Sequence, residues 1–184
     1  VGERADELDR DRRRPPERTG LRIGQATQHP AGARHRQPRE DADEIAAMRE
    51  ACKHAHMKAI LATGDLKTLR NVYKASMVAM QAGADFIKTS TGKEDVNATL
   101  PVSLTMIRAL RDYEELTGFK IGFKPAGGLK SAKDAMNWLI LMKEELGRDW
   151  LEPDFFRVGA STLLADIERQ LEHHVIGHYS AFNR

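Results

Sequence analysis

Lys88 and Lys124 each close a short apolar run, Ala84-Asp85-Phe86-Ile87-Lys88 and Lys120-Ile121-Gly122-Phe123-Lys124. Beyond each the chain turns to loop residues, Thr89-Ser90-Thr91-Gly92-Lys93 and Pro125-Ala126-Gly127-Gly128. A lysine ending an apolar strand stands where α/β proteins place reactive groups, at the carboxyl end of the sheet. If the two strands are parallel neighbours, the two ammoniums come close together. An ordinary lysine, with a pKa of roughly 10.4, is protonated at neutral pH and is a poor nucleophile. A second ammonium about 6 Å away, at an effective dielectric of roughly 20, disfavours the charged form by on the order of 3 kcal/mol. Burial against Phe86 and Phe123 works in the same direction. An amine freed in this way attacks a carbonyl and forms a Schiff base. The plainer reading is two solvated surface charges; the shared position at strand ends argues against it.

With those residues in view, a resemblance becomes specific. Phe86-Ile87-Lys88-Thr89-Ser90-Thr91-Gly92-Lys93, Gly122-Phe123-Lys124-Pro125-Ala126-Gly127-Gly128 and Phe156-Arg157-Val158-Gly159-Ala160-Ser161-Thr162-Leu163-Leu164 resemble three signature segments of the deoxyribose-phosphate aldolases, in that family's order. Ile60-Leu61-Ala62-Thr63-Gly64 and Asn97-Ala98-Thr99 fit as well, so that the likeness runs from about Asp43 to His174. The resemblance implies a class I aldolase on a TIM barrel, needing no metal or other cofactor. Its reaction would be the reversible cleavage of 2-deoxy-D-ribose 5-phosphate to acetaldehyde and D-glyceraldehyde 3-phosphate, a step of deoxyribonucleotide catabolism. It also implies that Lys88 forms the imine and that Lys124 tunes it and helps move protons; spacing alone does not distinguish the two. The family further uses an aspartate on an earlier strand, for which no acidic residue before Asp43 offers a matching segment. The role of its tail tyrosine does not carry over to Tyr179.

The glycine turns bear on the other end of such a substrate. TIM barrels often hold phosphate on the loops after their last two strands. Here those loops would be Gly127-Gly128 and Gly159-Ala160-Ser161-Thr162. Glycines let backbone N–H groups approach an anion, and helix amino ends favour it. Ser161 and Thr162 add hydroxyls, and Gly92 and Lys93 add a turn and a charge. Spacing alone leaves ordinary caps and turns equally open; the resemblance adds the phosphate. Thr91-Gly92-Lys93 is not the end of a P-loop, because Glu94 replaces the required hydroxyl. His54 with His56, and His173 with His174, have neither the spacing nor the partners of a metal site and read as surface residues.

The elements that must position these groups begin after an unusual segment. Residues 1–42 hold ten Arg, no Lys and eight Asp or Glu, with no aromatic residue. Such a stretch cannot bury enough apolar surface to offset its ordering, so it is expected to be disordered, or to be sequence foreign to the domain. A nucleic-acid arm is the competing idea, but balancing acids and the lack of stacking side chains weigh against it. The whole chain of 184 residues carries a formal charge of +2, too little to demand a polyanion. One cysteine, Cys52, suits a reducing compartment, and no apolar run reaches membrane-span length. The expectation is a cytoplasmic protein.

From Asp43 to Arg184 strands and helices alternate. Helices are expected over Glu44–His56, with Ile45, Met48 and Cys52 on one face, and over Leu66–Met80, stopped at Gly83. The next runs from about Thr99 to Gly118, another from the capping-box sequence Ser131-Ala132-Lys133-Asp134 to Gly147, and the last over Thr162–Val175. Strands are expected at Lys58–Thr63, Ala84–Lys88, Ile121–Lys124 and Phe155–Gly159. Asp85, of opposite parity to Lys88, should face the outer helices. Four βα units of about 33 residues match TIM-barrel repeats, and a barrel needs eight. The chain therefore reads as α/β, the carboxyl-terminal half of a partial TIM barrel; a small doubly wound sheet is the alternative. The open outer strands predict aggregation, pairing into a homo-oligomer, or poor folding. A fragment without catalytic competence is the rival to an active aldolase.

Overall fold

The computed structural model describes residues 38–179. The expectation for the Arg-rich segment therefore falls almost wholly outside the described residues, except that helix already begins at Pro38. This first helix, α1 (Pro38–Cys52), starts on a proline, whose missing N–H costs nothing in the first turn. It ends earlier than the expected His56 because Lys53 takes a left-handed backbone, φ 49°. Ile45, Met48 and Cys52 pack against the core, as their spacing requires.

Three parallel strands follow, β1 (Lys58–Ile60), β2 (Phe86–Lys88) and β3 (Gly122–Lys124), in the order β1-β2-β3. Each is shorter than its apolar run. For β1 the cause is local: Ala62 has φ 48°, which turns the chain out of the extended conformation. The connecting helices α2 (Leu69–Gln81), α3 (Leu100–Thr117) and α4 (Ala132–Leu146) open on hydroxyl caps from Thr68, Thr99 and Ser131. Each cap accepts an otherwise unpartnered N–H of the first turn. Asp134 completes the capping box at α4, and Gly118 ends α3 in the left-handed conformation that glycine adopts without penalty. A short 3-10 turn (Arg148–Leu151) precedes the last stretch, and α5 (Leu163–Ile176) closes the described chain.

The fourth strand expected over 155–159 is not a continuous ladder but two isolated parallel bridges, Phe123 with Phe156 and Ala126 with Gly159. Its register is nevertheless unbroken. Phe123 N–H donates to Phe155 O (2.7 Å) and Arg157 N–H to Phe123 O (3.1 Å). Further on, Gly159 N–H donates to Pro125 O (2.8 Å) and Gly127 N–H to Gly159 O (3.3 Å). The rung between these pairs needs an N–H on residue 125, and proline has none.

Alternation along the strands divides the sheet into two faces. Ala59, Ile87, Phe123 and Phe156 point toward the helices. There they join Val72, Ala79 and Met80 of α2, Met106, Ala109 and Leu110 of α3, and Trp138 and Met142 of α4. Trp138 also donates its Nε1–H to Ser103 Oγ (2.8 Å), which satisfies both buried groups. Trp150 is likewise buried. The helix expected from Leu66 begins instead at Leu69, which is 48% exposed at its start. Asp85 looks outward as its parity predicts, accepting hydrogen bonds from Arg49 of α1 and from Met57 N–H (2.6 Å). No helix among the described residues is long and apolar enough to cross a membrane.

Candidate active site

On the other face of the sheet Lys88 and Lys124 stand side by side as direct register partners of β2 and β3. Phe86 and Gly122 form the pair two residues earlier, and Lys58 of β1 is in register with Phe86. The Phe86 ring lies flat over Gly122: a Cβ at that position would sit 2.3 Å from the ring's Cε1. Two more cations meet the same ring, Lys58 Nζ at 5.5 Å and Arg157 Cζ at 4.6 Å from its centroid. Lys58 and Arg157 did not stand out in the sequence. Their signal was a charge set inside an apolar strand, at the parity shared with the two lysines.

These surroundings set the lysine charges. Burial pushes the Lys88 ammonium pKa below its ordinary value, while the Glu94 carboxylate acts in the opposite direction. Burial likewise lowers Lys124, helped by repulsion from Lys88, Lys58 and Arg157. Lys58 is lowered too, by burial first and then by Arg157, with Asp85 opposing and Lys88 assisting. The expectation is that Lys124 tunes Lys88; instead burial leads at both amines, and the repulsion from Lys88, Lys58 and Arg157 falls on Lys124.

The loops above the lysines are tied to one another. Thr89 Oγ1 accepts from Ala126 N–H (2.9 Å) and donates to Ala126 O (3.2 Å), and Ser90 Oγ donates to the same carbonyl (2.6 Å). Both hydroxyls are buried, so they brace the turns rather than wait for a ligand. Gly92 lies against Gly127, the Cα of which would be 3.6 Å from an added Cβ. Gly159 leaves room for Lys124, whose Cε would stand 3.3 Å from a Cβ there. Gly127, Gly128 and Gly159 thus lie together beyond the lysines, joined by the Gly127–Gly159 hydrogen bond. Lys93, Ser161 and Thr162 are exposed. Thr162 precedes α5 without making the side-chain cap that Thr68, Thr99 and Ser131 make for their helices.

One expected donor set is already engaged. The backbone N–H groups of Thr91, Gly92 and Lys93 donate to the Glu94 carboxylate at 2.9–3.1 Å. Glu94 was missed in the sequence because it mattered there only as the residue that spoiled a P-loop. Tyr179 stacks on His173, with centroids 4.1 Å apart, and donates to Gln170 Oε1 (3.1 Å).

Comparison with known proteins places this arrangement. The DeoC/LacD family aldolase profile matches residues 32–167. The deoxyribose-phosphate aldolase of Homo sapiens is 67% identical over 141 residues, which are 77% of this chain and 44% of that protein. Among solved structures, the apo form of a protein assigned as a deoxyribose-phosphate aldolase from Toxoplasma gondii ME49 superposes with a TM-score of 0.68 at 26% identity, covering 73% of this chain and 53% of that one. The tetrameric deoxyribose phosphate aldolase from Aeropyrum pernix gives a TM-score of 0.54 at 21% identity, over 73% and 50% of the two chains, a likeness of fold. The chain spans about half the length of these relatives or less. By the extent of that match the chain belongs to the DeoC/LacD aldolase family.

Proposed function

We propose that this chain carries the lysine-bearing half of a deoxyribose-phosphate aldolase site and acts on 2-deoxy-D-ribose 5-phosphate through a Schiff base. The observation that carries the reading is the pairing of Lys88 with Lys124 in register, with burial lowering the pKa of both. Lys88, as the neutral amine, adds to the aldehyde carbon of the open-chain sugar, and loss of water gives the iminium. The bond between C2 and C3 then breaks, its electrons passing into the iminium to leave an enamine on Lys88. The C3 hydroxyl loses its proton as D-glyceraldehyde 3-phosphate departs. Protonation of the enamine and hydrolysis release acetaldehyde and restore the lysine. Lys124, beside the imine, takes up and returns protons. No metal or cofactor takes part in these steps.

The phosphate is assigned to the ends of the turns at Gly127, Gly128, Ser161 and Thr162, with the Lys93 ammonium at the rim; the expected part of Gly92 gives way, since its N–H is held by Glu94. Thr162 supports this, since its uncapped position leaves the first-turn N–H groups of α5 without a hydroxyl acceptor. The fold is read as the last four units of a (β/α)8 barrel. Leu164, Leu171 and Val175 of α5 are exposed where further units would pack, and association through these edges is expected. A cytoplasmic, reducing setting fits the single free Cys52.

Borohydride trapping with acetaldehyde, followed by peptide mass mapping, tests the reading. An ethyl adduct on Lys88, absent from Lys88→Met, supports it. A wild-type chain that yields no adduct supports a second reading, a non-catalytic part of a larger barrel, which the 44% coverage of the human relative favours.

A further inference from the structure

The turn that follows Lys88 contains an anion cradle filled by the protein's own carboxylate. Thr91 N–H reaches both Glu94 oxygens, at 2.9 and 3.0 Å. Gly92 N–H and Lys93 N–H each reach Oε2 at 3.1 Å, and Thr91 Oγ1 donates to it at 2.9 Å. Three consecutive N–H groups converging on one oxyanion are the geometry of a backbone nest. Burial pushes the Glu94 carboxyl upward, yet these hydrogen bonds outweigh it and hold the group below the ordinary carboxylate value. The same residue reaches the next loop. Its carbonyl accepts from Asn97 Nδ2 (2.7 Å), and Asn97 packs so closely on Gly127 that an added Cβ would lie 2.6 Å from the Asn97 Cβ. Ala98 N–H completes the bridge by donating to Ala126 O (3.3 Å).

We propose that Glu94 is a positioning residue that permanently occupies the Thr91–Lys93 oxyanion cradle and thereby sets the Lys93-bearing turn against Gly127. The substrate phosphate is accordingly kept off these backbone donors and meets the Lys93 side chain and the later glycine turns instead. This assignment of roles rests on the aldolase reading; the filled cradle itself does not. Truncating Glu94 leaves three N–H groups and a hydroxyl facing a vacancy of carboxylate shape, which a small carboxylate such as formate can fill.

The experiment titrates sodium formate into 15N-labelled wild-type and Glu94→Ala full chains and follows the Thr91, Gly92 and Lys93 amides. In Glu94→Ala these amides should shift saturably, while in the wild type they stay still. Borohydride trapping at Lys88 should need roughly tenfold more 2-deoxy-D-ribose 5-phosphate in Glu94→Ala, a loss of about 1.4 kcal/mol, and formate should restore it. Trapping with unphosphorylated 2-deoxy-D-ribose should need no more sugar than in the wild type, since loss of the Glu94 charge only lowers the Lys88 pKa further. Formate-induced shifts in the wild type, none in the variant, or an unaltered sugar-phosphate requirement would each overturn the proposal. Glu94→Gln, which keeps the shape and one acceptor oxygen, covers the case in which the alanine variant does not fold. Wild-type amide positions for residues 91–93 in that protein would count equally against it. If Lys88 is not trapped even in the wild type, the aldolase reading fails, and the amide shifts still decide whether the cradle exists.

Discussion

Lys88 and Lys124 occupy the same level of adjacent parallel strands, so their side chains rise from one face as immediate neighbours. Lys88 repels the Lys124 ammonium and so helps to lower its pKa, and two residues earlier on the same strands the buried Phe86 ring packs over Gly122. Lys58 and Arg157, each close to that ring, add to the positive charge.

Removing one amine therefore alters the other. In Lys88→Met the Lys124 ammonium loses a repelling neighbour, and the pH at which its Nζ deprotonates, followed by NMR of 15N-labelled lysine, moves upward. Stability responds as well. A lysine whose folded pKa lies below its unfolded value of about 10.5 loses its proton first in the native state. Stability should therefore rise with pH through the window between the lowered value and about 10.5, and this rise should shrink in Lys124→Met. Urea midpoints measured across that window read the effect.

Gly122→Ala should destabilise the fold, since the new methyl group meets the face of Phe86 at 2.3 Å. Overpacking of this kind costs about 1–3 kcal/mol. Pairing it with Phe86→Leu should recover part of the loss, and denaturant unfolding of the single and double variants checks both statements.

At Pro125, alanine restores the missing donor of the β3 edge. One backbone hydrogen bond adds about 0.5–1.5 kcal/mol, and the freer unfolded chain removes about 0.4–1 kcal/mol. Pro125→Ala is expected to leave stability within about 1 kcal/mol of wild type, with the new amide at 125 protected from hydrogen exchange. Rapid exchange there would show that no rung forms.

The Glu94 anchor has an acid limit. Its folded pKa is depressed, so its contribution is complete above the unfolded value of about 4.5 and is lost as pH falls through the folded value. The Thr91, Gly92 and Lys93 amide resonances should move together in that acid range. In Glu94→Gln they should no longer titrate.

Much of this was legible in the chain itself, because strand ends, caps and parity are local properties. Thr99 with Pro101, the Ser131–Asp134 box and Gly118 mark their helix ends through hydrogen bonds made within one turn. The outward turn of Asp85 followed from alternation alone. What escaped was set by distance or by the absence of a group. Arg157 reaches Phe86 across β3, a contact that no local pattern contains. Glu94 serves donors that are only backbone atoms, and backbone atoms leave no trace in residue types. The last strand was expected to be regular because its side chains are apolar, whereas its interruption comes from a proline on the neighbouring strand.

That interruption has a mechanical sequel. With the bond opposite residue 125 unmade, the final strand hangs from the sheet by fastenings at either end of a gap, like a panel on two hinges. The upper fastening, at Gly159, adjoins the turn that opens α5, while the amines belong to the plate formed by the earlier strands. In the proposed reading, rocking of the panel would carry the loop assigned to the phosphate and leave the amine assigned as nucleophile in place. The distance between those two loops is then set by a strand held at two points and not by a continuous ladder.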